Sequence, residues 1–231
     1  MRSVVRAVGP CSPPTQRLEI CRAGGNLARM HTLYFTPGAC SINPHIVLRE
    51  LGIPFELVQV DLRTKKTADG GDFRAVSPKG YVPALRLPDG QVLTENAVMV
   101  QYLADLAPEK HLAPAPGSFE RLRLAETLVF IATELHKGMS PLYNPAAGPE
   151  FRAALFERLD LRWRHLASAL GEQPYLLGDF SVADAYAFYV MRAWQRVHGQ
   201  RLPPALDAYY ARLSARPSVK AALEAEGLAP E

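Results

Sequence analysis

Long hydrophobic runs are missing from these 231 residues. No segment approaches the roughly 18 unbroken apolar residues of a membrane-spanning helix, so no membrane association is expected. Cysteine is scarce. Cys11 and Cys21 lie near the N-terminus, and Cys40 stands alone in the rest of the chain. A lone cysteine cannot close an internal disulfide, and three without Cys-x-x-Cys spacing make a poor zinc site. No metal centre is expected, and the expected compartment is the reducing cytoplasm. A real excess of positive charge is missing as well. The formal net charge is +3, but residues 1–29 hold five arginines and one acid, leaving 21 basic against 22 acidic residues from Met30 onward. A body so near neutrality offers no electrostatic case for nucleic acid or an anionic membrane as partner. Residues 1–29 also lack the apolar core of a secretory signal. Their Pro and Gly punctuation interrupts any amphipathic helix. They read as a disordered or misannotated extension, and the folded body is expected to start at Met30.

What is present is an ordinary globular composition, 48% hydrophobic and 21% charged, long enough for one large domain or two small ones. Leu33-Tyr34-Phe35 forms a short β-type run ended by Thr36-Pro37-Gly38, and a helix is expected from about Cys40 to Leu51, stopped by Gly52. Phe55 to Val60 alternates as a second strand. Residues 61–80 are polar, with only a weak helical pattern. Val82–Leu87 and Gln91–Leu93 flank Pro88-Asp89-Gly90, a tight hairpin signal. A helix follows to about Leu106, with Val98, Tyr102 and Leu106 on its apolar stripe. Residues 111–117 are Pro-rich and read as a linker. Beyond them the pattern is helical: Leu122, Ala125, Val129 and Ala132 make one stripe, and Phe151, Leu155, Leu159, Leu166 and Leu170 another. Ser181 and Asp184 have capping-box spacing at the start of a third helix to about His198. Helices over about 205–215 and from Pro217 complete the chain. Residues 30–110 therefore read as a small α/β domain and 118–231 as an all-helical one.

Four motifs carry chemistry, each with a plain structural explanation beside it. Cys40 lies in a strand-to-helix turn, where free N–H groups and the helix dipole favour a thiolate; packing alone also explains a lone cysteine. With Asn43 where a resolving cysteine would stand, no two-thiol centre is possible. Pro83 enters a strand, as an edge residue or as a cis proline that turns the Val82 backbone toward a peptide-like ligand. Glu95 and Asn96 open a helix, as dipole-stabilising residues or as holders of a free α-amino acid end. The segment from Thr133 to Gly138 puts His136 and Lys137 near a helix end, where the dipole also favours them.

Taken together, Leu33–Ser41, Pro78–Leu85, Leu93-Thr94-Glu95, Thr133–Gly138 and Ser181–Tyr186 resemble the bacterial beta-class glutathione transferases from about Met30 to Leu228. The resemblance implies a thioredoxin-like N-terminal domain, a helical-bundle C-terminal domain and a homodimer. It implies that Cys40 faces the glutathione sulfur, Lys65 the glycine carboxylate and Val82 the cysteinyl backbone. Glu95 and Asn96 would hold the γ-glutamyl end, while Thr133, Glu134 and His136 would complete the site, with contacts shared across subunits and His136 tuning a thiolate. Phe35 and Val129 depart from the family's usual Tyr and Asn. Tyr143 and Trp194 are candidates for the hydrophobic substrate wall, each equally explained as a core aromatic. The expected activity is transfer of glutathione, the co-substrate, to hydrophobic electrophiles. Glutathione-dependent thiol–disulfide exchange at Cys40 and a non-catalytic binder on the same fold are the alternatives.

Overall fold

The computed structural model describes residues 30–229, and the expected extension over residues 1–29 lies outside the described residues. β1 (His31–Phe35) runs parallel to β2 (Phe55–Asp61), with α1 (Ile42–Leu51) as the crossover between them. The short β3 (Lys66–Thr67) pairs antiparallel with the end of β2, and β4 (Ala84–Arg86) and β5 (Val92–Thr94) form an antiparallel hairpin beside β1. The sheet order is β3-β2-β1-β4-β5. β1 is the central strand, so both its faces are covered: Leu33 and Phe35 join the core shared with the helices, while Tyr34 packs with Phe73 and Val82 on the other side. α2 (Asn96–Asp105) follows β5 and lies against α1. This is the thioredoxin-like arrangement, and the helical part after it completes the expected fold class.

In that helical part, α3 (Phe119–Phe130) runs into a π-helical turn (Ile131–His136), then the single turn α4 (Lys137–Met139). α5 (Pro149–Leu170), α6 (Val182–Arg196), α7 (Pro204–Ser214) and α8 (Pro217–Ala225) follow. α6 is buried on nearly every side, which makes it the central helix of the bundle. Its N-terminus carries the expected capping box, and the buried Asp184 also accepts from Leu176 N–H at 3.0 Å and Tyr209 Oη at 2.6 Å.

Three local expectations change. α1 starts at Ile42 rather than Cys40, because the Ser41 hydroxyl turns back to donate to Thr36 O instead of capping the helix. The weak helical pattern in 61–80 resolves into β3 and one 3₁₀ turn, Phe73–Ala75. The stripes assigned to α2 and α3 face outward: Val98, Leu122 and Val129 are 51%, 63% and 55% exposed. The buried faces are instead Met99, Val100 and Leu103 on α2, and Leu124 and Leu128 on α3, continued by Ile131 and Leu135. Both helices are apolar on two sides, and periodicity alone does not say which side meets the core.

Candidate active site

Cys40 sits in the turn between β1 and α1, partly exposed. Its thiol donates to Val82 O at 3.3 Å, and the Val82–Pro83 peptide is cis. Burial pushes this thiol up to about 11 from an ordinary value of 9.0, against the smaller downward pulls of the Asn96 side chain and the Lys137 charge. This direction is opposite to the lowered thiol expected from the sequence. The helix begins two residues further on, and a carbonyl acceptor favours the protonated form.

Asn96, the first residue of α2, is buried; its amide oxygen accepts from Asn43 Nδ2 at 3.3 Å, and its side chain also bonds the Cys40 thiol. Sequence reasoning grouped Asn96 with Glu95, but the two side chains serve different neighbours. Glu95 makes no cap hydrogen bond. It accepts from Lys79 Nζ at 2.6 Å, with both side chains exposed. Its φ of +69° is a conformation that non-glycine residues seldom adopt. Lys65 Nζ donates to Gly80 O at 2.9 Å and stands 5.6 Å from the Tyr81 ring centre, while Lys137 Nζ approaches the same ring at 5.8 Å. Two ammonium groups thus flank one exposed tyrosine beside Val82.

His136 is less a partner of the sulfur than the centre of a tyrosine pair. Its Nδ1 lies 2.8 Å from Tyr186 Oη and its Nε2 3.4 Å from Tyr189 Oη. Burial, helped by the adjacent Lys137 charge, lowers it to about 4 from 6.5. The ring is neutral at pH 7, so one nitrogen donates and the other accepts. Burial raises both tyrosine hydroxyls above their ordinary range, and they stay protonated. A negative charge formed at Cys40 would raise the Tyr143, Tyr186 and Tyr189 hydroxyls alike, so all three lie within electrostatic reach of the sulfur. Tyr186 and Tyr189 were missed as site residues, although their spacing of three on α6 puts them on one helix face.

The remaining candidates separate. Tyr143 is 54% exposed and bonded to Tyr189, so it stands at the mouth of the site. Trp194 is 4% exposed, packed on Phe156 and Trp163, with Nε1 donating to Arg201 O at 3.0 Å. It belongs to the core rather than to a pocket wall. Thr133 Oγ1 donates back to Val129 O, and Glu134 accepts from Arg162 Nε at 2.6 Å, toward α5. Neither meets Cys40 within one chain. Val129 is exposed on α3.

Because His136 takes its proton more readily unfolded than folded, its neutral form stabilises the fold fully above pH 6.5. That contribution is lost as pH falls toward about 4. Ring resonances followed by NMR are expected to stay those of a neutral imidazole from pH 8 to about pH 5. A midpoint near 6.5 would place His136 in water rather than between the tyrosines.

A thioredoxin-like domain with a cysteine at its first turn and a helical bundle closing over that turn defines a glutathione-handling class of protein. A family model, the N-terminal domain of glutathione S-transferases, matches residues 38–106. Glutathione S-transferase GstA of Escherichia coli O157:H7 is 42% identical over 199 residues, covering 85% of this chain and 98% of that one. Among solved structures, a ternary complex of BphK, a bacterial glutathione transferase, superposes with a TM-score of 0.82 at 52% identity, covering 85% and 100%. A sphingomonad glutathione S-transferase complexed with glutathione gives 0.81 at 45%, covering 86% and 100%. The chain belongs to the glutathione S-transferase family.

Proposed function

We propose that this glutathione transferase uses the sulfur of glutathione, rather than Cys40, as its nucleophile. The observation that carries the reading is the Cys40 thiol in the first turn, donating to Val82 O at 3.3 Å beside the cis Val82–Pro83 peptide, with burial pushing it up rather than down. The thiol has one proton to donate; when the glutathione cysteinyl N–H takes over Val82 O, that proton turns to the thiolate brought by the co-substrate. The tripeptide lies across the turn. Its cysteinyl backbone pairs with Val82, its glycine carboxylate is drawn to Lys65 and Lys137 beside Tyr81, and its γ-glutamyl ammonium takes the place of Lys79 on Glu95. The thiolate then attacks a hydrophobic electrophile whose wall is Tyr143, Tyr186 and Tyr189, all from the region 118–231, while residues 30–110 hold glutathione. Attack forms the C–S bond and expels the leaving group. Thr133 and Glu134 act, on this reading, only toward a neighbouring subunit. Assays of the purified protein with a chromogenic aryl halide and with a mixed disulfide test this. Conjugation is expected to dominate; exchange without conjugation would overturn it, and neither activity would leave a binding protein.

We also propose a homodimer in the cytoplasm. Support for the dimer comes from the apolar residues left outside on neighbouring elements: Val98 on α2, and Phe119, Leu122 and Val129 on α3. A helix with two apolar faces needs a second partner. Sedimentation is expected to give a dimer, and Leu122→Glu with Val129→Glu a monomer. A parent protein that sediments as a monomer would remove the proposal. No helix among the described residues is long and apolar enough to cross a membrane.

A further inference from the structure

Two asparagines meet where the first turns of α1 and α2 come together beside Cys40. Asn43 is the second residue of α1 and Asn96 the first of α2. Both are buried, Asn43 completely. Asparagine at a helix start is ordinarily a cap, but Asn43 caps nothing. Its Nδ2 donates across to Asn96 Oδ1 at 3.3 Å, and its own Oδ1 is buried with no partner among the described residues. A buried acceptor without a donor costs stability, and apolar side chains of the same shape in place of both residues would avoid that cost. Folding alone therefore gives little reason for Asn43.

The sulfur supplies the reason. A thiol has one proton, and that of Cys40 goes to Val82 O at 3.3 Å. The Asn96 side chain also bonds this sulfur. With the thiol proton already committed, Asn96 can only donate, so its NH2 group faces Cys40 and its oxygen faces away. That oxygen needs a donor, and Asn43 Nδ2 is the donor. Asn43 thereby commits its nitrogen to Asn96, and its Oδ1 is left over. An Asn96 amide turned the other way would set its oxygen against the sulfur and oppose negative charge there.

The donors thus run in one direction, from Asn43 to Asn96 and from Asn96 to Cys40. Successive bonds in such a chain polarise one another. When Cys40 turns its proton to the co-substrate, the glutathione thiolate becomes the last acceptor in the chain.

We propose that Asn43 is a positioning residue for the thiolate: by holding the Asn96 oxygen it keeps the Asn96 NH2 group on the Cys40 sulfur, and through Cys40 it favours the ionised sulfur of bound glutathione. This rests on the reading of the glutathione sulfur as the nucleophile. The charges that face Cys40 are Lys137 from α4 and Glu95 from the start of α2, with the Tyr143, Tyr186 and Tyr189 hydroxyls within reach. A substitution at Asn43 removes none of them.

Asn43→Leu, made in the full chain with Cys11→Ser and Cys21→Ser, keeps the bulk and removes the donor. Titration of bound glutathione by the ultraviolet absorbance of its thiolate is expected to give a midpoint about one unit above the parent's. That is about a tenfold smaller ionised fraction at a fixed pH below the midpoint. Conjugation of an aryl halide should fall by about tenfold at that pH and recover as the pH is raised. A purely structural role would lower the melting temperature and reduce activity equally across pH, with the midpoint unmoved. Adding Asn43→Leu to Asn96→Leu should move the midpoint no further, because the effect passes through Asn96. An equal further shift in that background would overturn the proposal. Alkylation of Cys40 at fixed pH, measured without glutathione, should slow by about tenfold in Asn43→Leu, since the Cys40 thiolate loses the same donor. If Asn43→Leu does not fold, Asn43→Ser, polar but shorter, carries the same measurements. Unchanged alkylation together with an unchanged midpoint would overturn the proposal. Alkylation that slows while the parent's bound glutathione titrates like the free thiol leaves the positioning role standing and removes the functional reading.

Discussion

Cys40→Ala is expected to remove glutathione-dependent thiol–disulfide exchange, by about 10³-fold or more, while conjugation of an aryl halide stays within about tenfold of the parent. The asymmetry follows from the two roles a thiol can play. In exchange, Cys40 must form the covalent mixed disulfide, and among the described residues it is the one cysteine. In conjugation it supplies one hydrogen bond to the sulfur of the co-substrate, a loss of about 0.5–1.5 kcal/mol, or up to about tenfold in rate. With the thiol raised to about 11 by burial, only about 10⁻⁴ of it is ionised at pH 7. Alkylation across pH, on the Cys11→Ser, Cys21→Ser background, should show a midpoint near 11. A midpoint below about 8.5 would restore the activated thiol expected from the sequence. The sign of the stability term is fixed by the same shift. A raised thiol stabilises the fold fully below its unfolded value near 9, and that share is lost as pH rises through about 11. A parallel collapse of both activities in Cys40→Ala would mean that the protein's own sulfur takes part in conjugation.

Glu95→Ala should weaken glutathione binding by about 30-fold, read by titration calorimetry. A ligand ammonium deprived of its carboxylate costs about 2–5 kcal/mol when the pair is covered. The lower end applies, because Glu95 is 66% exposed in the free protein and keeps water nearby. Its present partner, Lys79, is itself 55% exposed, and such surface pairs contribute at most about 1 kcal/mol. Exchanging Lys79 for the ligand ammonium is therefore cheap, and Lys79→Ala should leave binding equal or tighter. Equal affinity of the parent and Glu95→Ala would reduce Glu95 to a residue that stabilises the start of α2 by its charge alone. The left-handed backbone at Glu95 gives this test its interest. A residue placed at φ +69° with no cap bond is held by its surroundings rather than by the needs of the helix.

Much of the molecule was legible from local chemistry. Gly52 ends α1 at φ +68°, Asp89-Gly90 makes the hairpin turn between β4 and β5, and Ser181 with Asp184 opens α6 as a capping box. Each depends on residues within four positions of one another, so the sequence states it directly. The motifs around Cys40, Val82 and Glu95 were legible for the same reason, and with them the family and its co-substrate. What the sequence could not state is which groups meet across the chain. The choice of the Leu124 and Leu128 face of α3 over the equally apolar Leu122 and Val129 face was made by packing against α6 and the π turn. The π turn itself, which turns His136 toward Tyr186 and Tyr189, has no signal in hydrophobic period. The Cys40 thiol is pushed up chiefly by desolvation, and its proton goes to a carbonyl 42 residues away, neither of which the sequence around it states. Trp194 went to the core because Phe156 and Trp163 close around it. Local sequence fixes caps, turns and motifs because they are short-range; burial, protonation and partnership are set by neighbours that only the folded chain brings together.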